Sequence, residues 1–202
     1  MRRAYLWPAV LPGGDAAARF PVQGAAGFLA QLPVVPDLTG PPFAFPERFW
    51  LALALVQKGV RTFPTTSLGR LFDTVAALVG FTRPITFEGQ AAIWLEARAD
   101  LDERGVYPFD IERGAAEAYQ IDPAPLFAAL LRDLRAGVSV PALAARFHNG
   151  VAQAIREVCA LAHAETGLTT VALSGGVFQN STLLRIARQG LERDGFTVLR
   201  HR

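Results

Sequence analysis

A serine and two glycines follow a short apolar segment near the end of the sequence, in a pattern typical of a backbone that approaches a ligand. Residues 168–173 are predicted to form a strand, which runs into Ser174, Gly175 and Gly176. Because glycine has no Cβ, the N–H groups of this turn can approach a phosphate or a nucleoside. A helix that begins after the turn adds partial positive charge at its N-terminus. The alternative is a tight turn that binds no ligand.

Asn180 follows the turn, and we expect it in the first turn of a helix that spans roughly residues 178–193. Its amide can reach a ribose or a base from that position. The glycines do not form a Walker-type phosphate loop, since no Gly-Lys-Ser/Thr follows them. They do not form a dinucleotide fingerprint either, because the sequence lacks Gly-x-Gly-x-x-Gly. Neither of these nucleotide-binding loops therefore explains the turn.

The segment TTSLGRLFD, residues 65–73, combines hydroxyl groups, a glycine and a carboxylate at a second predicted helix start. Thr66 and Ser67 precede Gly69, and Asp73 follows one turn later. These residue types fit a ligand contact. They also fit a helix N-cap followed by an Arg70–Asp73 pair on the helix surface. The residues alone leave both explanations open.

The remaining polar residues give weaker indications of a site. Glu88 and Gly89 stand where another helix is predicted to start, and such a pair is more often a cap than a ligand contact. His148 and His163 lie fifteen residues apart on one predicted helix and lack metal-ligand spacing, which favours surface or core positions. Cys159 is the single cysteine, so there is no disulfide framework and no cysteine zinc site.

Hydrophobic periodicity predicts that helices dominate the chain and that it ends in a strand–helix–strand unit. The first 45 residues, rich in glycine and proline, are expected to be mostly loop. Helices are then predicted up to Gly59, from Thr66 or Ser67 to Gly80, and from Glu88, with later ones ending at Gly137 and Gly167. A short strand is expected before Asp122. Two strands joined by one helix, at 168–173 and near 196–200, predict a parallel βαβ unit.

Composition and charge exclude several classes of function. The chain has 202 residues and a net charge of +2, with its basic residues scattered among acidic ones. This distribution argues against a nucleic-acid partner. No apolar run reaches the ~18–20 residues of a membrane helix. The first residues do not form a secretory signal either. We therefore expect a cytoplasmic protein without a membrane partner.

Five segments in order resemble the Kae1-like domain of the HypF-type carbamoyltransferases of [NiFe]-hydrogenase maturation: LPGGDAA, TTSLGRLFDTVAALVG, FEGQAAIWLEARA, FHNGVAQAI and TVALSGGVFQNSTLL. The resemblance covers nearly the whole chain and is weakest at residues 20–46. The tRNA threonylcarbamoyl-adenosine enzymes share the Gly-Gly-Val…Asn turn. They carry Asp-x-x-Gly-Glu where this chain has Ser67-Leu68-Gly69-Arg70. That departure favours the HypF type.

The resemblance implies an α/β chain that is mostly the second half of an actin-like, sugar-kinase-like ATPase fold, helix-rich with a C-terminal βαβ unit. Residues 1–46 would be the loop-rich N-terminal segment of the Kae1-like domain, and 47–202 its helical and βαβ region. In this family carbamoyl phosphate and ATP give carbamoyl-adenylate. The Kae1-like domain then passes the carbamoyl group to the C-terminal cysteine of the acceptor HypE. A non-catalytic remnant or interaction module that binds no nucleotide is the alternative.

The resemblance also implies which residues face the nucleotide. Ser174, Gly175, Gly176 and Asn180 would contact adenylate or phosphate, Thr66, Ser67, Gly69 and Asp73 would line the opposite wall, and Glu88 and Gly89 would lie nearby. No catalytic residue is assigned.

The sequence departs from the family at both ends. The histidine-rich metal motif of the family does not precede residue 11, and the Asn-Asp-Gly-Gly segment that follows the last strand in the family is not found. We therefore expect a fragment that does not bind the family metal ion by itself. A different member of the same ATPase fold, such as a sugar-kinase-like protein, is disfavoured because no aspartate stands in a recognisable phosphoryl-transfer motif.

Overall fold

The chain is an α/β protein in a computed structural model that describes residues 3–114 and 118–200. The strands of these residues are β1 Ala4–Leu6, β2 Ala9–Pro12, β3 Thr62–Thr65, β4 Asp110–Arg113, β5 Tyr119–Asp122, β6 Thr170–Leu173 and β7 Thr197–Arg200. The helices are α1 Asp15–Arg19, α2 Pro21–Leu29, α3 Glu47–Gln57, α4 Leu68–Leu78, α5 Gln90–Glu96, α6 Ala124–Arg135, α7 Val140–Thr166 and α8 Ser181–Arg193. A 3₁₀ helix, Gly176–Gln179, precedes α8.

The described strands form three small sheets. One has the order β1-β5-β4, with β1 and β5 parallel and β4 and β5 antiparallel. A second pairs β2 with β3 in antiparallel register. The third pairs β6 with β7 in parallel, from Thr170 with Thr197 to Leu173 with Arg200. Because α8 connects these two strands, the predicted C-terminal βαβ unit is confirmed.

Two apolar helices form the centre of the core. Every residue of α2 is buried, and so are residues 71–78 of α4. These helices pack against each other, while α2 also contacts α3 and β2, and α7 packs on α8. The aromatic side chains of Phe72 and Phe147 meet edge to face at 4.7 Å, which joins α4 to α7. One continuous apolar core therefore runs from the N-terminal helices to the βαβ unit.

The expectation of a loop-rich N-terminal segment is wrong for residues 4–29 and holds for residues 30–46. The first part contains β1, β2, α1 and the buried helix α2. The sequence pattern does not predict this helix, because Gly24 and Gly27 lower its helix propensity. Gly27 has a packing reason: a Cβ there would collide with the carbonyl oxygen of Val10 in β2. The glycine lets helix and strand approach each other closely.

Further element boundaries differ from the predictions. Strands β3 and β4 were not expected, and β3 contains Pro64 opposite Val10. Strand β6 begins at Thr170 rather than at 168. The 3₁₀ helix occupies the predicted start of the last helix, so Asn180 is the N-cap of α8 and does not lie within its first turn. Across the described residues, no helix is long and apolar enough to cross a membrane.

Candidate functional site

Residues 174–179, here called the glycine turn, leave β6 with an unusual backbone. Gly175 has φ 92° and ψ 168°, a conformation that is nearly restricted to glycine. Ser174, Gly175 and Gly176 are all exposed. The backbone of the first half of the turn therefore lies at the surface. A glycine at 175 is therefore required by the backbone alone.

Gly176 has no such requirement. Its φ lies outside the left-handed region, and an added Cβ would meet nothing within 4 Å. The turn is closed by Phe178 N–H, which donates to Gly175 O at 3.1 Å, and by Asn180 N–H, which donates to Val177 O at 3.2 Å. Within the described chain the N–H groups of Gly176 and Val177 have no partner. The turn therefore offers two backbone donors beside an open space that no side chain fills.

Asn180 is buried, and both ends of its amide are used inside the chain. Its Oδ1 accepts from Leu183 N–H at 2.8 Å, which caps α8. Its Nδ2 faces His148 Nε2 at 3.0 Å. Asn180 is only 8% exposed. The side chain therefore holds the end of the glycine turn in place, and in this conformation its amide is not directed at an external ribose or base.

The N-terminus of α8 is also occupied by the chain itself. The Glu96 carboxylate, at the end of α5, accepts from Thr182 N–H at 2.9 Å and from the Ser181 hydroxyl at 2.7 Å. A carboxylate in this place is stabilised by the positive end of the helix dipole. The partial positive charge that was expected at the N-terminus of this helix is thus used by Glu96 of the chain itself. The unpaired donors lie in the glycine turn instead.

The predicted N-cap at the second motif is confirmed. Ser67 Oγ accepts from Arg70 N–H at 3.4 Å at the start of α4, and Thr65 Oγ1 accepts from Ser67 N–H at 3.2 Å. Thr66 lies between Thr65 and Ser67 and is half-buried. At Gly69 an added Cβ would lie 3.5 Å from Ser67 Oγ, an ordinary contact. Ser67 is thus used in starting the helix.

Asp73 is buried and paired with Arg70. The guanidinium NH1 lies 2.9 Å from the carboxylate Oδ2, as the predicted pair requires, although the residue is interior rather than on the helix surface. Burial nevertheless raises the pKa of Asp73 to about 6, and the Arg70 charge offsets this only in part. The carboxylate is therefore ionised at neutral pH at a cost in folding free energy.

Helix α4 and the glycine turn are brought together through His148. The turn contacts α4 directly. The imidazole of His148, on α7, packs edge to face on Phe72 at 5.4 Å and meets Asn180 on its other side. Two of the predicted groups therefore share one location in the fold.

The third predicted group is more distant from this location. Glu88 and Gly89 precede α5, whose opposite end carries Glu96 at α8. The seven residues of α5 span about 10 Å. Gly89 is the N-cap, with φ 78°.

A cavity of about 240 Å³ lies between the loop around 99–106, α7 and α8. His148, Asn149 and Thr182 line it, and none of the ten predicted site residues does. Among the residues that the structure describes, no three His, Cys, Asp or Glu side chains come together as metal ligands.

His148 and Glu96 are the supporting residues that sequence patterns did not reveal. They contact Asn180 and the start of α8 across 32 and 85 positions of sequence, respectively. His148 was expected at the surface or in the core, and it is fully buried. Helical periodicity places it on the face of α7 that includes Phe147 and Val151, but a single sequence gives no signal for its polar partner.

Comparisons with known proteins agree with this architecture. Residues 1–202 match the family model "Carbamoyltransferase, Kae1-like Domain, second subdomain". The chain is 37% identical to the carbamoyltransferase HypF of Rhodobacter capsulatus over 198 residues, which are 96% of this chain and 25% of that protein. It is 36% identical to HypF of Synechocystis over 137 residues, 67% of this chain and 17% of that one. The chain thus spans a quarter or less of the length of these relatives.

A solved structure gives the same result. Full-length HypF, crystallised in a phosphate- and nucleotide-bound form, superposes with a TM-score of 0.88 and 31% identity, covering all of this chain and 31% of the other. The expected α/β fold of the Kae1-like domain is confirmed. This chain belongs to the carbamoyltransferase Kae1-like domain family, whose second subdomain it matches along its full length.

Proposed function

We propose that the chain forms one wall of a nucleotide site for carbamoyl transfer, with the glycine turn as its phosphate contact. Carbamoyl-adenylate, made from carbamoyl phosphate and ATP, would be the donor. The C-terminal cysteine of a HypE-like protein would be the acceptor, on the route to the cyanide ligand of [NiFe]-hydrogenase. A cytoplasmic setting remains part of this proposal.

The observation that carries the proposal is the glycine at position 176. Neither its backbone conformation nor any neighbouring atom requires the absence of a side chain. The N–H groups of Gly176 and Val177 point to no partner in the described chain. Unpaired N–H donors in a turn of this kind are a typical anion site. The phosphate- and nucleotide-bound form of the similar HypF supports this assignment.

In this reaction the chain positions the carbamoyl-adenylate and does not supply the nucleophile. The acceptor thiolate forms a bond to the carbamoyl carbon, the bond from that carbon to the phosphate oxygen breaks, and AMP leaves. Donors of the glycine turn near the phosphate stabilise the charge on the leaving AMP. Burial raises the pKa of Cys159, the chain's own thiol, which disfavours its thiolate. The thiolate is therefore assigned to the acceptor.

In this proposal two residues of the second motif have structural roles. Ser67 caps α4, and Asp73 is enclosed beside Arg70. Thr66, Gly69, Glu88 and Gly89 stay proposed contacts to the nucleotide. Asn180 is buried and holds the end of the glycine turn in place. No step is assigned to a metal ion.

The substitution Gly176→Ala tests the proposal. Because the added methyl meets no atom of the chain, thermal unfolding should be unchanged, while the affinity for ATP or AMP, measured by calorimetry, should fall at least about tenfold. Gly40→Ala is the matched control, since its Cβ also meets nothing within 4 Å and its φ is not left-handed. Gly40 lies in the segment between α2 and α3, far along the chain from the turn.

Two outcomes would contradict the proposal. Equal nucleotide affinity in Gly176→Ala and the unsubstituted protein would remove the glycine turn from the site. A folded protein that binds neither ATP nor AMP would favour the alternative, an interaction module of the same fold without nucleotide binding. Carbamoylation of an acceptor protein, followed by mass spectrometry with carbamoyl-adenylate supplied, separates binding from transfer.

A further inference from the structure

The buried histidine of α7 has a defined tautomer, which follows from its two polar contacts. His148 Nδ1 lies 2.7 Å from the carbonyl oxygen of Ala144, one turn earlier in the same helix. A carbonyl only accepts, so Nδ1 carries the proton. In a neutral imidazole, Nε2 is then an acceptor, and the amide Nδ2 of Asn180 donates to it at 3.0 Å.

This tautomer selects one orientation of the Asn180 amide. With Nδ2 directed at His148, Oδ1 is directed at Leu183 N–H, from which it accepts at 2.8 Å. A flipped amide would set two acceptors against each other at His148 and two donors against each other at Leu183. Both partners therefore favour the same orientation. The cap of α8 and the contact to α7 depend on each other.

The backbone of Asn180 connects this fixed amide orientation to the glycine turn. Its N–H donates to Val177 O at 3.2 Å, and its carbonyl accepts from Leu184 N–H at 3.0 Å. One residue thus closes the 3₁₀ helix on one side and opens α8 on the other. Any shift of Asn180 would move the N–H groups of Gly176 and Val177.

The imidazole itself is held rigidly. It is fully buried and packs edge to face against Phe72 of α4 at 5.4 Å and Phe147 at 5.8 Å. Burial lowers the pKa of His148, whereas the Ala144 carbonyl and the charge of Glu96 act in the opposite direction. The neutral form is the one that the contacts require, because a proton on Nε2 would face the Asn180 amide donor.

We propose that His148 is a positioning residue for the glycine turn, which it holds in its donor geometry through the amide of Asn180. The residue touches no nucleotide. This inference rests on the proposed function only for its effect on affinity. The geometric part, from His148 to the backbone of the turn, stands without a nucleotide.

Three variants separate this role from simple core packing. His148→Leu introduces an apolar side chain of similar size and removes the Nε2 acceptor of the Asn180 amide. The affinity for AMP should therefore fall about tenfold. His148→Gln offers a side-chain oxygen that can accept from Asn180 Nδ2, and it should restore most of that affinity. His163→Leu, on the same helix but exposed and bonded to Leu168 O, should leave the affinity unchanged.

Nitrogen NMR of the unsubstituted protein without nucleotide gives the independent readout. We expect a neutral His148 protonated at Nδ1, with an Nε2 shift that indicates an accepted hydrogen bond. In His148→Leu the amide signals of Val177 and Asn180 should shift, and in His148→Gln they should return towards their original positions.

Two results would overturn the inference: protonation of His148 at Nε2, or turn signals that are identical in His148→Leu. If His148→Leu does not fold, the histidine tautomer and the Gln variant still decide the question. Absence of AMP binding by the unsubstituted protein would count against the proposed function and not against the geometric role.

Discussion

Replacing Asp73 with asparagine is expected to remove one contribution to the pH dependence of stability. Its folded pKa of about 6 lies above the ordinary value of 3.8, because burial disfavours the charged carboxylate. The folded state therefore binds more protons than the unfolded state between these two values. The resulting stabilisation is fully present below pH 3.8 and is lost as the pH rises through about 6.

The magnitude follows from those two values. At about pH 5 the raised pKa stabilises the folded state by about 1.4 kcal/mol, and at about pH 7.5 by almost nothing. Asparagine does not titrate. We therefore compare the free energy of unfolding of Asp73→Asn with that of the unsubstituted protein at each pH. This difference should shift in favour of the variant by about 1.4 kcal/mol between about pH 5 and about pH 7.5. Any cost of the change that does not depend on pH cancels in this comparison, and the effect of the Arg70 charge is already contained in the pKa of Asp73.

Urea unfolding, followed by circular dichroism at both pH values, measures the difference. His148 contributes a pH dependence of the opposite sign, since its lowered pKa costs stability as the pH falls, but it does so in both proteins. Asp102→Asn, at an exposed aspartate, is the control for the loss of one carboxylate from the chain. If Asp73→Asn and the unsubstituted protein differ by the same free energy at both pH values, the burial of an ionisable Asp73 is refuted.

Two other changes probe the core and the cap. Gly27→Ala should destabilise the chain by about 2 kcal/mol or more in urea unfolding, because its methyl collides with the Val10 carbonyl. Gly24→Ala is the control, since its methyl would lie 3.4 Å from Thr74 Oγ1, an ordinary contact. This second change should be neutral or stabilising by up to about 1 kcal/mol. Equal effects of the two alanines would contradict the close approach of α2 and β2. Glu96→Gln should cost about 1 kcal/mol and speed amide exchange in the first turn of α8, and unchanged exchange would argue against the carboxylate cap.

Local patterns were sufficient for the elements whose signals lie within a few residues. The Ser67 cap, the stop of α7 at Gly167 and the βαβ unit all follow from neighbouring residue types. Helix α2 was missed because local propensity counts glycine as a helix breaker. Its packing on β2, which requires Gly27, is a tertiary effect that outweighs that propensity.

The residues of the candidate site were named from the sequence, and their bonding to the rest of the chain was not foreseen. The glycines at 175 and 176 mark the turn, and their spacing from Asn180 suggested an amide available to a ligand. The structure instead turns that amide inward, to a histidine 32 residues away. Only the folded packing of α4, α7 and α8 brings these groups together, so no local pattern contains the information.

The parallel pairing of β1 with β5 has a consequence for the order of folding. Its partners, from Ala4 with Tyr119 to Leu6 with Ile121, are separated by 115 positions. Closing a loop of that length costs about 4 kcal/mol of chain entropy, which three residue pairs cannot offset alone. We expect β1 to dock only after the intervening helices have collapsed. During synthesis, β1 can therefore pair with β5 only after the intervening 115 positions have left the ribosome.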